Sequence, residues 1–216
     1  MREYPRAFFF DFDGTILDTE TPEIDTWREV FEAYGAIFPE GELLATIGKG
    51  ADQILLKPAD LFQRTIGFRP DEAAIKRQAE EAILRQPVRP GVLELLKFLK
   101  SECIPTAIVS SSDHNWIEGH LSRLGLRDAF GPIIGREDAA RAKPFPDLYL
   151  AAADQLDVAT EDCVTLEDSP NGVQAAVSAG VYVVAYPNAS TRMLDLSEAD
   201  ELVTDLVSWT LPGREE

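Results

Sequence analysis

Short runs of β-branched and aromatic residues recur along this chain, and from the second run onward each is separated from the next by a segment long enough for a helix. The five runs span residues 7–10, 106–109, 132–134, 164–166 and 181–185. Because strand-like and helix-like segments alternate in this way, we expect parallel strands joined by right-handed helical crossovers. The sequence therefore predicts an α/β protein with a doubly wound, mainly parallel sheet, whose ligand site lies at the carboxyl ends of the strands.

The stretch from residue 17 to residue 88 interrupts this alternation, because it contains helical patterns and no convincing strand. Residues 23–34 carry apolar side chains at the i, i+3, i+4 spacing of an amphipathic helix, and residues 71–85 have a similar pattern. We therefore predict a Rossmann-like core made of residues 1–16 and 89–216. Residues 17–88 are predicted to form an inserted α-helical cap domain of four helices.

Two carboxylates, those of Asp11 and Asp13, directly follow the first apolar run in the segment 11–15 (Asp-Phe-Asp-Gly-Thr). Side chains two residues apart leave a strand on the same side. One carboxylate of such a pair can attack phosphorus while its neighbour protonates the leaving oxygen and later activates water. An ordinary strand-end turn rich in aspartate and glycine is the alternative, and the whole pentapeptide after four apolar residues disfavours it.

A second acidic pair, Glu167 and Asp168, follows the apolar run at 164–166. Mg²⁺ prefers hard oxygen ligands and is usually held by one or two carboxylates, which two neighbouring strand ends can supply. Ser169 and Pro170 come next and are typical of a helix N-cap followed by a first-turn proline. The capping role and the metal-binding role are compatible with each other.

The charge of the chain restricts its partners. Its 38 acidic and 20 basic residues give a formal net charge of -18, whereas a nucleic-acid-binding protein normally presents a basic face. A negative field also slows the approach of an anionic substrate, so a phosphate site here needs local positive charge from a metal, a lysine or helix N-termini. We expect neither nucleic acid nor membrane among the partners.

A few sequence features indicate the cellular compartment of the protein and the residues of its hydrophobic core. The apolar run at 7–10 is too short for the core of a signal peptide, and no later stretch approaches the length of a membrane span. Cys103 and Cys163 each flank a predicted strand and are expected to be buried free thiols, which suits a cytoplasmic protein. Trp27 and Trp116 lie at helical spacing, so we expect both in the core rather than in a cleft.

Four short motifs, taken in their order along the chain, resemble those of the haloacid dehalogenase-like hydrolase superfamily. The motifs are Asp11-x-Asp13-Gly14-Thr15, Ser110 after an apolar strand, Lys143-Pro144, and Glu167-Asp168. The resemblance spans nearly the whole chain, and the helical insert is similar to the cap of subclass I. The segment 169–172 (Ser-Pro-Asn-Gly) is most similar to the β-phosphoglucomutase-like branch of that subclass.

The resemblance implies a role for each motif position. Asp11 would be the nucleophile that forms an aspartyl phosphate, and Asp13 would be the general acid and base. Ser110 would bind the phosphoryl group through its hydroxyl, helped by the backbone N–H of Ser111. Lys143 would neutralise charge on the transferring phosphoryl oxygens, as positioned positive charge does in phosphoryl transfer.

The resemblance also implies Mg²⁺ as the cofactor. Asp168 would ligate the ion together with Asp11 and the backbone carbonyl of Asp13. Glu167 would contribute either directly or through a water molecule.

The resemblance leaves the leaving group open, because the cap selects it. Asp13 favours phosphate esters, since dehalogenases of this fold carry tyrosine at that position and phosphonate hydrolases carry alanine. Mutases of the branch have basic groups where Glu23, Ala51 and Asp113 stand here, although Lys49 is a candidate phosphate ligand in the cap.

We therefore expect a magnesium-dependent phosphatase acting on a small phosphorylated metabolite, such as a sugar or polyol phosphate. A sugar-phosphate mutase is the alternative, and a non-catalytic α/β binding protein is a third reading. The protein is expected to be a monomer or a weak homodimer.

Overall fold

Six strands form one parallel sheet at the centre of the protein in the computed structural model, which describes residues 4–44 and 57–211. The strands are β1 (Ala7–Phe10), β2 (Thr106–Val109), β3 (Ile133–Ile134), β4 (Cys163–Glu167), β5 (Tyr182–Ala185) and β6 (Glu201–Leu202). Their order across the sheet is β3-β2-β1-β4-β5-β6, and every neighbouring pair is parallel. Successive strands are therefore added on one side of β1 up to β3 and on its other side from β4 onward. This switch in strand order leaves a crevice at the carboxyl ends of β1, β2 and β4.

Eight α-helices accompany these strands in the described part of the chain. They are α1 (Glu20–Ala33), α2 (Glu40–Leu44), α3 (Pro58–Ile66), α4 (Glu72–Leu84), α5 (Val92–Ser101), α6 (His114–Leu124), α7 (Asp147–Leu156) and α8 (Pro170–Ala179). The predicted α/β class, the parallel sheet and the inserted helices are thereby confirmed. The short edge strand β6 was not predicted, because its two residues are not part of a β-branched or aromatic run.

Alternation along β1 explains why helices cover both faces of the sheet. All four residues of this strand are buried. Phe8 and Phe10 pack with apolar residues of α5 and α6 on one face, while Ala7 and Phe9 pack with α7 and α8 on the other. The sheet is therefore doubly wound, and its central strand is screened from water along its whole length.

The helical insert has an apolar cluster of its own. Trp27 and Phe31 of α1 pack with Phe62 of α3 and Ile75 of α4. The predicted core position of Trp27 is thus confirmed. Helix α1 begins at Glu20, three residues earlier than its apolar spacing indicates. The division of the chain into a core and a cap domain at residues 16/17 and 88/89 stays a prediction.

The two connections between the insert and the sheet run side by side. Leu17 and Val88 form an antiparallel bridge, and the Arg89 N–H donates to the Ile16 carbonyl at 2.9 Å. The Arg89 guanidinium also donates to the carbonyl of Gly14. The insert therefore enters and leaves the core beside the loop that carries the first motif.

The two cysteines differ in burial. Cys163 is buried at the start of β4, but Cys103 is exposed, so the prediction of a second buried thiol was wrong. Cys103 follows the end of α5 with φ of 57°, and this turn directs it away from the sheet.

Lys49 and Ala51 lie outside the described residues. Across residues 4–44 and 57–211, no helix is both long and apolar enough to cross a membrane.

Two leucines of α5 provide a test of this packing. Leu99 is fully buried against the sheet, whereas Leu93 on the same helix is 39% exposed. Leu99→Ala is expected to lower the free energy of unfolding by about 2–5 kcal/mol, because it removes buried apolar contacts and leaves a cavity. Leu93→Ala should cost less than about 1 kcal/mol. Chemical denaturation of both variants measures the difference, and equal losses would contradict the packing described for α5.

Candidate active site

Three carboxylates meet at the carboxyl ends of β1 and β4. The Asp11 N–H donates to the Leu166 carbonyl at 3.0 Å, which aligns the two strand ends. One carboxylate oxygen from each of Asp11, Glu167 and Asp168 lies within 4.8 Å of the others, and all three residues are buried. The two acidic pairs predicted to lie close together are therefore adjacent, although the Asp13 side chain is not part of this cluster.

Lys143 is the cation that holds two of these carboxylates. It lies on the loop before α7, is 2% exposed, and its Nζ donates to Asp11 Oδ1 at 2.6 Å and to Glu167 Oε1 at 2.5 Å. The Tyr149 hydroxyl donates to the same Glu167 oxygen at 2.6 Å. Burial alone would lower the pKa of Lys143, but Asp11 and Glu167 raise it well above its usual value. The lysine is therefore a permanent ammonium.

Burial and mutual repulsion act on the acidic groups. Burial, opposed by Lys143 and reinforced by Glu167, raises the pKa of Asp11 to about 7. Burial also raises the pKa of Asp168 well above its usual range, and Asp11 and Glu167 add to this effect. One ammonium does not balance the charge of three buried carboxylates.

The cluster fits a divalent cation. Asp11 Oδ2 is buried and accepts a hydrogen bond from no described residue. A buried carboxylate oxygen without a donor, close to two further carboxylates, suits a hard cation such as Mg²⁺, which prefers oxygen ligands. Asp11, Glu167 and Asp168 would hold the ion. The predicted part of the Asp13 backbone carbonyl stays a prediction.

Two glycines allow the main chain to approach these carboxylates closely. Gly14 has φ of +81°, and a Cβ there would lie 2.1 Å from Asp168 Oδ2. A Cβ at Gly172, in the first turn of α8, would lie 1.9 Å from Glu167 Oε2. Asn188 completes the enclosure by donating to Asp168 Oδ2 at 2.8 Å. The segment 169–172 thus supplies an N-cap at Ser169 and the space that Glu167 occupies.

Asp13 points away from the acidic cluster, toward the loop after β2. Its Oδ2 accepts a hydrogen bond from the Ser112 hydroxyl at 2.6 Å and a longer one from Ser110 at 3.4 Å. Its Oδ1 accepts a hydrogen bond from the Trp116 indole Nε1 at 2.8 Å. The Asp13 side chain is therefore held by donors of a different loop from the one that holds Asp11.

The serines after β2 divide their tasks. The Ser110 N–H donates to the Ile134 carbonyl at 2.9 Å, so this residue continues the sheet, and its hydroxyl accepts the Ser112 N–H at 3.0 Å. Ser111 Oγ is buried at the cleft wall and has no hydrogen-bond partner among the described residues. An unpartnered hydroxyl at this place can bind an oxygen of a ligand.

A cleft of about 450 Å³ lies between the sheet edge and the helical insert. Asp11, Asp13, Lys143 and the three serines line its floor, and the insert contributes Glu20, Glu23 and Lys76. Burial raises the pKa of Glu20 well above its usual value, and repulsion by Asp168 adds to this effect. Burial also raises the pKa of Glu23, and repulsion by Asp13 adds to it. The insert therefore presents mainly acidic groups to the site.

The prediction that Trp116 lies in the core rather than in a cleft was wrong. Trp116 packs partly against the core as expected, but its indole N–H reaches the cleft and binds Asp13. Helical spacing indicates which face of α6 is buried and not where a polar ring atom ends. Asp113 occupies the N-cap of α6, and its carboxylate accepts the backbone N–H of Trp116 at 2.9 Å, which gives this acid a structural role.

Sequence reasoning did not identify five further residues at the site. These are Glu20, Ser112, Trp116, Tyr149 and Asn188. Ser112 stood within a run of three serines, which was a usable signal. Tyr149 and Asn188 carried none, because each approaches from a helix or loop remote in sequence from the carboxylate that it binds.

Comparison with known proteins bears on the family of this chain. The family model of the haloacid dehalogenase-like hydrolases matches residues 5–180. The fructose-1-phosphate phosphatase YqaB of Escherichia coli (strain K12) is 33% identical over 189 residues, covering 85% of this chain and 97% of the relative. The phosphorylated carbohydrates phosphatase of Thermotoga maritima is 30% identical over 178 residues, covering 81% and 82%.

A solved structure is similar over nearly its full length. The crystal structure of β-phosphoglucomutase from Clostridium difficile has a TM-score of 0.70 and 25% sequence identity. The match covers 95% of this chain and 93% of that chain. The branch indicated by the motifs is thus represented among the structural neighbours.

The raised pKa of Asp11 predicts that Mg²⁺ binding depends on pH. A proton must leave this carboxyl before it can bind the ion, and its pKa is about 7. The affinity is therefore expected to fall at least about tenfold between pH 8 and pH 6, with release of a proton on binding. Isothermal titration calorimetry in two buffers of different ionisation enthalpy measures both quantities. Equal affinities at the two pH values, without proton release, would contradict a metal-binding Asp11.

Proposed function

Because the chain belongs to the haloacid dehalogenase-like hydrolases, we propose that it is a magnesium-dependent phosphatase acting on a small phosphorylated metabolite, a sugar or polyol phosphate. The membership bears out the resemblance of its four motifs. The observation that carries the proposal is the pair of separately held carboxylates, with Asp11 against Lys143 and Asp13 against Ser112 and Trp116. This arrangement supports Asp11 as the nucleophile and Asp13 as the proton carrier.

The first half of the reaction transfers the phosphoryl group to the protein. A carboxylate oxygen of Asp11 forms a bond to phosphorus while the bond from phosphorus to the leaving oxygen breaks. Asp13 gives its proton to that leaving oxygen, so an alcohol departs and Asp13 becomes a carboxylate. The Lys143 ammonium, 2.6 Å from Asp11, stabilises the negative charge of the transferring group.

The second half hydrolyses the aspartyl phosphate. Asp13 takes a proton from a water molecule, whose oxygen forms a bond to phosphorus as the bond to Asp11 breaks. Inorganic phosphate leaves, and Asp13 carries its proton again. Mg²⁺, when bound by the acidic cluster, supplies positive charge at the phosphoryl oxygens that one ammonium cannot supply alone.

The acidic wall of the insert supports a leaving group rich in hydroxyls. Glu20 Oε2 is buried near the cleft and accepts no hydrogen bond from the described residues. Hydroxyl groups of a sugar or polyol can donate a hydrogen bond to such an oxygen. The two relatives named as phosphatases of fructose 1-phosphate and of phosphorylated carbohydrates support the same class.

A sugar-phosphate mutase is the second candidate, and the similarity to a β-phosphoglucomutase supports it. Lys76 and Arg136 also line the cleft and could bind a second phosphate. Glu23 and Asp113 weigh against it, because acids stand where a mutase needs basic groups. A mutase would convert a sugar 1-phosphate to its 6-phosphate with little free phosphate and with stimulation by the bisphosphate.

The proposal is tested by phosphate release from a panel of sugar, polyol and nucleoside monophosphates. We expect release from at least one sugar or polyol ester with Mg²⁺ and its loss with chelator. Conversion of a sugar 1-phosphate without phosphate release would favour the mutase. A complete lack of turnover of every ester, unchanged by chelator, would overturn the proposal.

The Asp11→Asn variant tests the nucleophile. It keeps the shape of the side chain and removes the nucleophilic carboxylate, so kcat is expected to fall at least about 10³-fold. It should also lose the Mg²⁺-dependent complex with fluoroberyllate, a phosphate mimic. Asp195→Asn is the matched control, because Asp195 does not line the cleft and its carboxylate accepts hydrogen bonds from its near neighbour Ser197. Activity retained in Asp11→Asn would contradict the assignment.

A further inference from the structure

Trp116 and Ser112 hold opposite oxygens of the same carboxylate. The Trp116 indole donates to Asp13 Oδ1 at 2.8 Å, and the Ser112 hydroxyl donates to Asp13 Oδ2 at 2.6 Å. Both donors belong to one short segment, since Ser112 precedes α6 and Trp116 lies in its first turn. The orientation of Asp13 therefore depends on how this segment is fixed.

The indole itself is firmly placed. The backbone N–H of Trp116 donates to the capping carboxylate of Asp113 at 2.9 Å, which anchors the first turn of α6. The ring packs edge-on against His120 with centroids 4.4 Å apart and also contacts the main core. Packing and capping together aim the ring N–H at Asp13, because neither the backbone nor the ring can turn without losing these contacts.

The Trp116 indole and the Ser112 hydroxyl differ in whether they can also accept a hydrogen bond. An indole N–H can only donate, so the Asp13 oxygen that it binds must always accept. A serine hydroxyl can rotate and either donate or accept. When Asp13 carries a proton, that proton therefore lies on Oδ2, where Ser112 or a leaving oxygen can receive the hydrogen bond. Trp116 thus selects the oxygen of Asp13 that exchanges protons.

We propose that Trp116 is a positioning residue that holds Asp13 through Oδ1 and so directs the proton on Oδ2 to the leaving oxygen. The inference rests on the proposed function, because it gives Trp116 no task unless Asp13 protonates a leaving group. It goes beyond the four motifs, since Trp116 belongs to none of them and acts from the helix that follows the second motif.

The Trp116→Phe variant removes the donor and keeps most of the ring. Two esters are compared by kcat/KM, which includes steps only up to departure of the leaving group. The first is the best sugar or polyol phosphate of the panel, whose alkoxide must be protonated. The second is p-nitrophenyl phosphate, whose phenolate leaves without a proton. The hydrolysis of the aspartyl phosphate, which both esters share, does not enter this comparison.

We expect kcat/KM of Trp116→Phe to fall about tenfold or more for the sugar or polyol ester, as loss of one hydrogen bond to a charged group implies. For p-nitrophenyl phosphate it should stay within about threefold, which also shows that the variant is folded and binds phosphate. Equal losses for both esters would mean that Trp116 is only structural. No loss for either would mean that it does not position Asp13. Either result overturns the inference.

Trp209 provides a matched control. Its indole Nε1 donates to the carboxylate of Glu201 at 2.9 Å, remote from the cleft, so Trp209→Phe removes the same kind of hydrogen bond. We expect this variant to leave both esters unchanged within about twofold. A selective loss for the sugar or polyol ester in Trp209→Phe would also overturn the inference, because the effect would then not depend on Asp13.

A double-mutant cycle separates a direct effect from a general one. In an Asp13→Ala background, Trp116→Phe is expected to change kcat/KM of the sugar or polyol ester by less than about twofold, because the carboxylate that it positions is gone. A further tenfold loss would contradict action through Asp13. If the unmodified protein hydrolyses neither ester, the proposed function fails. If it hydrolyses both and Trp116→Phe does not discriminate between them, only the positioning role fails.

Discussion

The crowding of three buried carboxylates around one ammonium is the constraint on which the site depends. Asp11, Glu167 and Asp168 repel one another where all three are buried, and burial raises the pKa of Asp11 and Asp168. Lys143 offsets part of this repulsion, and the fit to a divalent cation follows from the remainder. The charge balance of the cluster itself therefore favours a bound cation, before any substrate is considered.

The same constraint explains the local backbone. Carboxylates brought this close need neighbours without side chains, and a Cβ at Gly14 or Gly172 would meet Asp168 or Glu167. The order of strands supplies the closeness, because β4 lies directly beside β1 although more than a hundred residues separate them in the sequence. The dense acidic cluster thus depends on the order of strands in the sheet.

Much of this arrangement was predictable, and the physical reasons are specific. Asp11 and Glu167 end apolar runs, so strand periodicity alone places them at one edge of the sheet. Tyr149 and Asn188 were not predictable, because a hydrogen bond from a remote helix or loop leaves no local pattern. Trp116 was misjudged for a different reason: helical spacing reports the packing of its ring, while its function depends on one polar atom at the ring edge. The roles inferred for the motif residues stay predictions.

The connections of the helical insert have a consequence for how such a chain can diversify. Leu17 and Val88 are bridged, so the two points where the insert joins the core are neighbours in space. The whole insert therefore begins and ends at one antiparallel bridge, as the turn of a β-hairpin does. Evolution can therefore lengthen, shorten or exchange this segment as a cassette while the acidic cluster and its lysine keep their positions, so new substrate preferences can arise without rebuilding the chemistry.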